Sequence, residues 1–213
     1  MLVLFPEIKP YKRHHLEVSA IHELYIDETG NIDGIPVLFV HGNPTSCHLW
    51  RNIIPYVAAT KRAIALDLIG MGKSDKPEIG YSFTDHYQYL AGFIDCLQLK
   101  NLTLVLHDWG AALGFEYARR HPENVNGIVF MEGLLPPTFP QPSFEAMGEE
   151  LGAMFKAFKD PVQGVELVIK QNVFVEKTLP AYVNRNLDPQ TLAAYRSPYL
   201  DIDERAALLA WPC

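Results

Sequence analysis

Short, nearly continuous apolar runs recur along the chain up to residue 131. They occupy residues 35–40, 62–66, 102–106 and 127–131, with the sequences IPVLFV, RAIAL, LTLVL and GIVFM. Strands that are buried on both faces of a parallel sheet have this pattern, because helices cover both sides of the sheet. An alternating segment, HLEVSAIHELYIDE, precedes these runs and ends at a Thr-Gly-Asn turn, which predicts a β-hairpin at an edge of the sheet.

Helical periodicity fills the gaps between these runs. One helix is predicted to begin near Thr84 and to end at Lys100 and Asn101, and its apolar residues at helical spacing are Leu90, Phe93, Ile94 and Leu97. Residues 111–121 favour a second helix, which Pro122 ends. Strands that alternate with helices predict an α/β fold with a right-handed, doubly wound, mostly parallel sheet.

The pattern changes at residues 135–142, where four prolines interrupt both helix and strand. Beyond them, residues 143–158, 161–176 and 189–195 favour helices, and no strand is indicated. We therefore expect two parts. Residues 1–135 form an α/β core with six strands, and residues 136–213 form an α-helical lid.

The composition narrows the class of protein without naming a substrate. The chain has 213 residues, 48% hydrophobic and 20% charged, and its net charge of −7 argues against nucleic acid and anionic membranes as partners. The cysteines, Cys47, Cys96 and Cys213, are odd in number and irregularly spaced, so neither disulfides nor a metal site are expected. No apolar run approaches about 20 residues, and the N-terminus lacks a secretory pattern, so we expect a cytoplasmic protein.

Asp108 lies between a predicted buried strand and a predicted helix, in the sequence Leu-His-Asp-Trp-Gly. A strand, a tight turn and a helix form a nucleophile elbow, which raises one side chain above the carboxyl edge of the sheet. A carboxylate at that point can attack a saturated carbon and form an ester without first losing a proton. The alternative is that Asp108 only caps the following helix, as Asp often does.

A second polar loop, HGNPTS at residues 41–46, follows the strand at 35–40 and so belongs to the same edge of the sheet. A loop at this place can supply one backbone N–H of an oxyanion hole, while the residue after the nucleophile, Trp109, supplies the other. The alternative is an ordinary turn rich in Gly, Asn and Pro.

Taken together, several segments resemble the haloalkane dehalogenase family, which has the α/β-hydrolase fold. They are HGNPTS (41–46), DLIGMGKSDKP (67–77), HDWGAALGFEYARRHP (107–122), QNVFVEKTLP (171–180) and AAYRSPY (193–199). The resemblance runs over nearly the whole chain, through both the core and the lid. HDWG is shared with epoxide hydrolases, whereas HGNPTS and NVFVE are more particular.

The resemblance implies hydrolysis of a carbon–halogen bond in a haloalkane. Asp108 would form an alkyl–enzyme ester, and the Asn43 amide and Trp109 indole N–H would hold the departing halide. The backbone N–H groups of Asn43 and Trp109 would then stabilise the oxyanion of ester hydrolysis. Glu132, which follows the strand at 127–131, would be the acid that orients a histidine, although a cap is the alternative role for an acidic residue there.

Further implications concern the pocket and its ligands. In the lid, four residues would wall an apolar pocket, although packing alone is the alternative: Phe155, Phe174, Trp211 and Pro212. The expected partners are a small halogenated hydrocarbon, halide and water. No metal and no organic cofactor are expected.

The family's general base is a histidine that follows the last strand, yet none of the eight histidines lies beyond His121. We expect the last core strands and this histidine to be absent from these residues, leaving an unpaired sheet edge and at most the first half-reaction. His107 should point away from the nucleophile, and His41 should be structural. Leu106, two residues before Asp108, needs room where Gly is usual.

Three alternatives remain open from the sequence. An epoxide hydrolase would use lid tyrosines, for which Tyr182, Tyr195 and Tyr199 are candidates, but Asn43 fits it poorly. A coelenterazine-type luciferase shares the elbow and the acidic pair. A chain that lacks the base could also only bind ligands.

Overall fold

The computed structural model describes residues 12–18 and 22–211. Within them, six strands form one sheet in the order β1-β2-β4-β3-β5-β6. The strands are β1 Lys12–Glu17, β2 Glu23–Gly30, β3 Pro36–Val40, β4 Arg62–Leu66, β5 Leu102–His107 and β6 Val125–Met131. The β1–β2 and β2–β4 pairs are antiparallel, and β4, β3, β5 and β6 run parallel. The predicted hairpin and parallel sheet are confirmed.

Helices connect the strands and follow the sheet. The α-helices of the described residues are α1 Ile54–Ala58, α2 Phe83–Cys96, α3 Trp109–Arg120, α4 Glu149–Lys159, α5 Leu179–Ala181, α6 Pro189–Arg196 and α7 Ala206–Ala210. The crossovers from β4 to β5 and from β5 to β6 each contain one long helix, as the alternating pattern predicts. No helix in these ranges is both long and apolar enough to span a bilayer. The cytoplasmic location stays a prediction.

The predicted bounds of α2 are wrong at both ends. The helix is capped by Ser82, whose hydroxyl accepts the backbone N–H of Asp85, while the Asp85 carboxylate accepts the N–H of Ser82. This reciprocal capping box satisfies two N–H groups that the helix leaves unpaired, and Thr84 lies inside the helix. At the other end, Gln98 has a positive φ of 51°, which ends helical geometry before Lys100.

The central strands are buried on both faces. Leu38 and Ile64 face one apolar cluster, while Phe39 and Ala65 face a second cluster that Trp50 completes. The first cluster contains more residues, and α2 and α3 cover the sheet there. This arrangement confirms the expectation for β3, β4 and β5, and it leaves the carboxyl ends of β3 and β5 side by side.

The last described strand, β6, departs from that expectation. It lies at the edge of the sheet in the described ranges, and Val129 and Phe130 are each 52% exposed. Burial on both faces was therefore wrongly predicted for residues 127–131, because strand composition cannot show whether a neighbour covers the strand. The expectation of an unpaired edge is confirmed for the residues that the structure describes.

The segment after residue 135 is helical but less regular than predicted. Residues 132–144 contain neither strand nor helix, and α4 and α6 match two of the expected helices. The third, residues 161–176, is divided into π-helical turns at Val165–Lys170 and Phe174–Thr178. Asn172, between them, has a positive φ of 52°, which a continuous helix excludes. The division into a core and a lid at residue 135 stays a prediction.

Gly110→Ala is expected to destabilise the fold. A Cβ at Gly110 would lie 2.4 Å from the carbonyl oxygens of both Val40 and His41, so α3 would have to move away from β3. We expect a loss of about 1–3 kcal/mol in the free energy of unfolding, the range for overpacking a tight contact. Urea denaturation of the 213-residue chain measures this loss.

Gly127→Ala is the matched control, because a Cβ at Gly127 meets nothing within 4 Å. Its free energy of unfolding should stay within about 0.5 kcal/mol of the parent value. Equal stabilities for the two variants would show that the contact between α3 and β3 does not require glycine.

Candidate active site

Asp108 occupies a strained turn between β5, which ends at His107, and α3, which begins at Trp109. Its backbone has φ 53° and ψ −125°, a conformation that non-glycine residues rarely adopt and that costs roughly 1–3 kcal/mol. The side chain makes no capping hydrogen bond to α3. The geometry is therefore that of the predicted nucleophile elbow, and the alternative of Asp108 as a helix cap is wrong.

Glycines allow the elements around this turn to approach closely. A Cβ at Gly42 would lie 2.2 Å from Oδ2 of Asp108 and 2.7 Å from the backbone nitrogen of Trp109. A Cβ at Gly114 would lie 2.5 Å from both δ-carbons of Leu106. Gly114 thus supplies the room that Leu106 was expected to need on the far side of the elbow.

The Asp108 carboxylate is held by backbone donors. The N–H of Asn43 donates to Oδ2 of Asp108 at 2.9 Å, which joins the 41–46 loop to the elbow. Burial raises the pKa of Asp108 to about 6, and the backbone N–H groups of Trp109 and Asn43 limit this rise. The carboxylate is therefore ionised at neutral pH, poorly solvated and fixed through one of its oxygens.

The side chains of Asn43 and Trp109 retain hydrogen-bonding capacity. The buried Oδ1 of Asn43 has no partner, and the indole N–H of Trp109 makes no hydrogen bond to any described residue. The Trp109 ring is nevertheless fixed, because it stacks on Trp211 at 4.9 Å and meets the edge of Phe139 at 5.4 Å. Asn43 and Trp109, whose backbone N–H groups contact the Asp108 carboxylate, thus each have a side-chain polar group without a hydrogen-bond partner among the described residues.

Glu132 follows β6 at the place predicted for the acid. Because His107 pairs with Met131 in the parallel register, Glu132 and Asp108 follow the ends of neighbouring strands. Glu132 has a positive φ of 49° and is exposed, and its side chain makes no hydrogen bond or ion pair within residues 12–18 and 22–211. The cap alternative for this side chain is not supported there.

The predicted pocket residues lie in two aromatic groups. Trp211 is 2% exposed and contacts Trp109 directly, so the structure brings it to the site. Phe155 and Phe174 both contact Phe158, at 6.3 Å and 4.6 Å between ring centroids, and neither has a ring contact with Trp109. Pro212 lies outside the described residues. The pocket role of the two phenylalanines stays a prediction.

Two neighbours of the site were missed by sequence reasoning. Phe139 lies in the proline-rich segment, where no periodicity marks a packed residue. His86 is fully buried and stacks on Trp211 at 4.0 Å. Its spacing from Leu90 places His86 on the buried face of α2. Its stacking partner, Trp211, lies far along the chain, so no local pattern indicates this contact.

Other histidines are engaged elsewhere. The ring of His41 accepts the N–H of Leu68 through Nε2 and donates from Nδ1 to the carbonyl of Gly42, so its predicted structural role is confirmed. The ring of His107 lies against Trp50 at 6.4 Å, on the side of the sheet with the second cluster, and so points away from the site as expected.

A separate cavity of about 410 Å³ lies between α6 and residues 46–51, which include a short 3-10 helix, and Asp108 does not line this cavity. Among the three candidate tyrosines, Tyr182 is 69% exposed, whereas Tyr195 and Tyr199 are buried. No group of three or more residues with metal-binding side chains occurs among the described residues.

Comparisons with known proteins agree with this geometry. Residues 35–173 match the family described as alpha/beta hydrolase fold. The chain is 46% identical to a haloalkane dehalogenase from Mesorhizobium japonicum over 94% of this chain and 64% of that protein. It is 44% identical to one from Sphingobium indicum over 96% of this chain and 69% of that protein. The chain thus spans about two thirds of the length of these curated relatives.

A solved structure gives the same result. The crystal structure of a haloalkane dehalogenase from Bradyrhizobium elkani superposes with a TM-score of 0.88 at 38% identity. The match covers 95% of this chain and 69% of that chain. The strands that position Asp108 and Asn43 therefore belong to a shared fold.

Asp108→Asn is expected to stabilise the fold, and more so at high pH. The pKa of Asp108 rises from 3.8 to about 6 on folding, so the folded protein holds this proton more tightly and loses stability as the pH rises between these values. Full ionisation costs at most about 3 kcal/mol. The uncharged amide avoids this cost, so its gain in the free energy of unfolding should grow between about pH 5 and about pH 8.

Urea denaturation at both pH values measures this gain, and Asp95→Asn, at an exposed aspartate of α2, is the control. The control should show no gain that grows with pH. A gain for Asp108→Asn that is the same at both pH values would contradict a raised pKa.

Proposed function

This chain belongs to the α/β-hydrolase fold family and, within it, to the haloalkane dehalogenases, and on that basis we propose that Asp108 displaces halide from a haloalkane carbon. The observation that carries the proposal is the hydrogen bond that joins the 41–46 loop to the elbow. There, one oxygen of a poorly solvated carboxylate is held by the N–H of Asn43. The proposed ligands are a small halogenated hydrocarbon, halide and water, and the chemistry uses no cofactor.

The first step is a displacement at saturated carbon. Because Oδ2 of Asp108 accepts the Asn43 N–H, Oδ1 is the oxygen that attacks. An ester bond forms between Oδ1 and the carbon, the carbon–halogen bond breaks, and its electron pair leaves with the halide. The side-chain N–H groups of Asn43 and of Trp109 are donors, as a desolvated anion requires, and would hold the departing halide.

The second step is attack of water on the ester carbonyl. The oxygen that was Oδ2 then carries the negative charge, and the backbone N–H groups of Asn43 and Trp109 remain beside it. Water needs a base, and Glu132 follows the strand next to the elbow, where its carboxylate could orient a histidine. None of the eight histidines lies beyond His121, and His41 and His107 have other partners. For these 213 residues we therefore expect the ester to persist.

No observation favours a second function over this one. An epoxide hydrolase would need tyrosine hydroxyls beside Asp108, and Tyr182 is largely exposed. A luciferase shares the elbow, and no described contact of Asp108 or Asn43 favours it.

Mass spectrometry of the chain after exposure to 1-bromobutane tests the proposal. We expect the mass to increase by one butyl group in place of one proton, on the peptide that contains Asp108. A single equivalent of bromide should be released, because the ester is not hydrolysed. Asp108→Ala should abolish both signals, since the nucleophile is gone.

Asp95→Ala, at an exposed aspartate outside the site, should behave like the parent chain. An unchanged adduct in Asp108→Ala, or neither adduct nor bromide from the parent, would refute the nucleophilic role. Continued bromide release beyond one equivalent would keep that role but show that a base acts within these residues.

A further inference from the structure

Three stacked rings connect α2 to the proposed halide donor. Trp109 stacks on Trp211 with centroids 4.9 Å apart and planes at 30°, and Trp211 stacks on His86 at 4.0 Å and 23°. His86 and Trp109 have no ring contact with each other, so Trp211 is the link between them. We call these three rings the aromatic ladder.

The imidazole of His86 takes part in the ladder without a hydrogen bond. It is fully buried, and neither ring nitrogen has a partner among the residues that the structure describes. Burial lowers the pKa of His86 to about 3, so the ring is neutral near pH 7. Its ring contacts are with Trp211 and, at 6.0 Å, Tyr81. Because an unpaired buried polar ring gains nothing from its nitrogens, stacking is its contribution here.

Trp211 is held against the core by two groups. Its indole N–H donates to the sulfur of Met71 at 3.3 Å, and His86 covers part of its ring. Since this N–H is committed to Met71, Trp211 offers Trp109 only a ring face. The orientation of the Trp109 indole therefore depends on that face and on the edge of Phe139.

We propose that His86 is a positioning residue for halide binding: by stacking on Trp211, it fixes the surface against which Trp109 directs its N–H to the halide. This role rests on the function proposed above, in which Trp109 binds the halide. His86 has no hydrogen bond or ring contact with Asp108, so it acts through Trp211 and is not itself a catalytic residue.

Bromide titration, followed by saturable quenching of tryptophan fluorescence, tests this role in the 213-residue chain. His86→Phe keeps a ring that can stack, whereas His86→Leu keeps an apolar side chain that cannot. Both suit a buried position without polar partners. We expect His86→Leu to weaken bromide binding between about twofold and tenfold, the range for one aromatic pair, and His86→Phe to stay within about twofold of the parent.

Phe93→Leu is the matched control, because Phe93 is also fully buried in α2 but is outside the ladder. It should leave the affinity for bromide unchanged. The proposal is overturned if this control weakens binding as much as His86→Leu does, or if His86→Phe is as weak as His86→Leu.

Trp211→Leu separates positioning from general packing. In that background His86→Leu should cause no further loss of bromide affinity, because the ring through which it acts is gone. Losses that simply add would show that His86 acts by another route and would overturn the proposal.

The parent chain distinguishes this proposal from the function on which it rests. If the parent neither binds bromide saturably nor forms the butyl adduct, the proposed function fails and the role of His86 fails with it. If the parent binds bromide but His86→Leu binds it equally well, only the positioning role is overturned.

Discussion

The backbone of Asp108 is the constraint on which the site depends. At φ 53° and ψ −125°, it turns the chain from β5 into α3 within one residue. This conformation is unfavourable by roughly 1–3 kcal/mol, so it persists only because the surrounding contacts hold it. In return, the turn lifts the carboxylate off the sheet and places the Trp109 N–H beside it.

Close packing of the backbone maintains that turn. Gly110 lets α3 approach the carbonyls at the end of β3, and Gly42 lets the 41–46 loop reach the carboxylate. The buried ring of His41 then joins this loop to the backbone N–H of Leu68 after β4. The ends of three parallel strands are thus tied together around Asp108, and the same contacts that hold the strained turn orient the Asn43 N–H. Stability and nucleophile geometry therefore have the same cause.

The sequence predicts most of what lies along a single element. Apolar runs located the parallel strands, and a strand–Asp–helix junction located the elbow, because both signals are local. Prediction from sequence failed where contacts with neighbouring elements decide the structure. The exposure of β6 depends on what covers this strand. The π-helical turns around Asn172 replace a helix that periodicity favours. The stacking of Trp211 on His86 joins residues far apart in the chain, so no local pattern could reveal it. The close contact between Gly114 and Leu106 is evident only in the folded chain.

The central claim is that the elbow and the 41–46 loop direct a nucleophile and two N–H donors to one point. Anomalous diffraction at the bromine edge, from crystals of the 213-residue chain grown with bromide, tests it most directly. We expect a bromide peak in hydrogen-bonding contact with both the Asn43 amide nitrogen and the Trp109 indole nitrogen, next to Asp108. Crystals with the elbow intact but no peak at this place, at bromide concentrations that saturate the fluorescence signal, would contradict it.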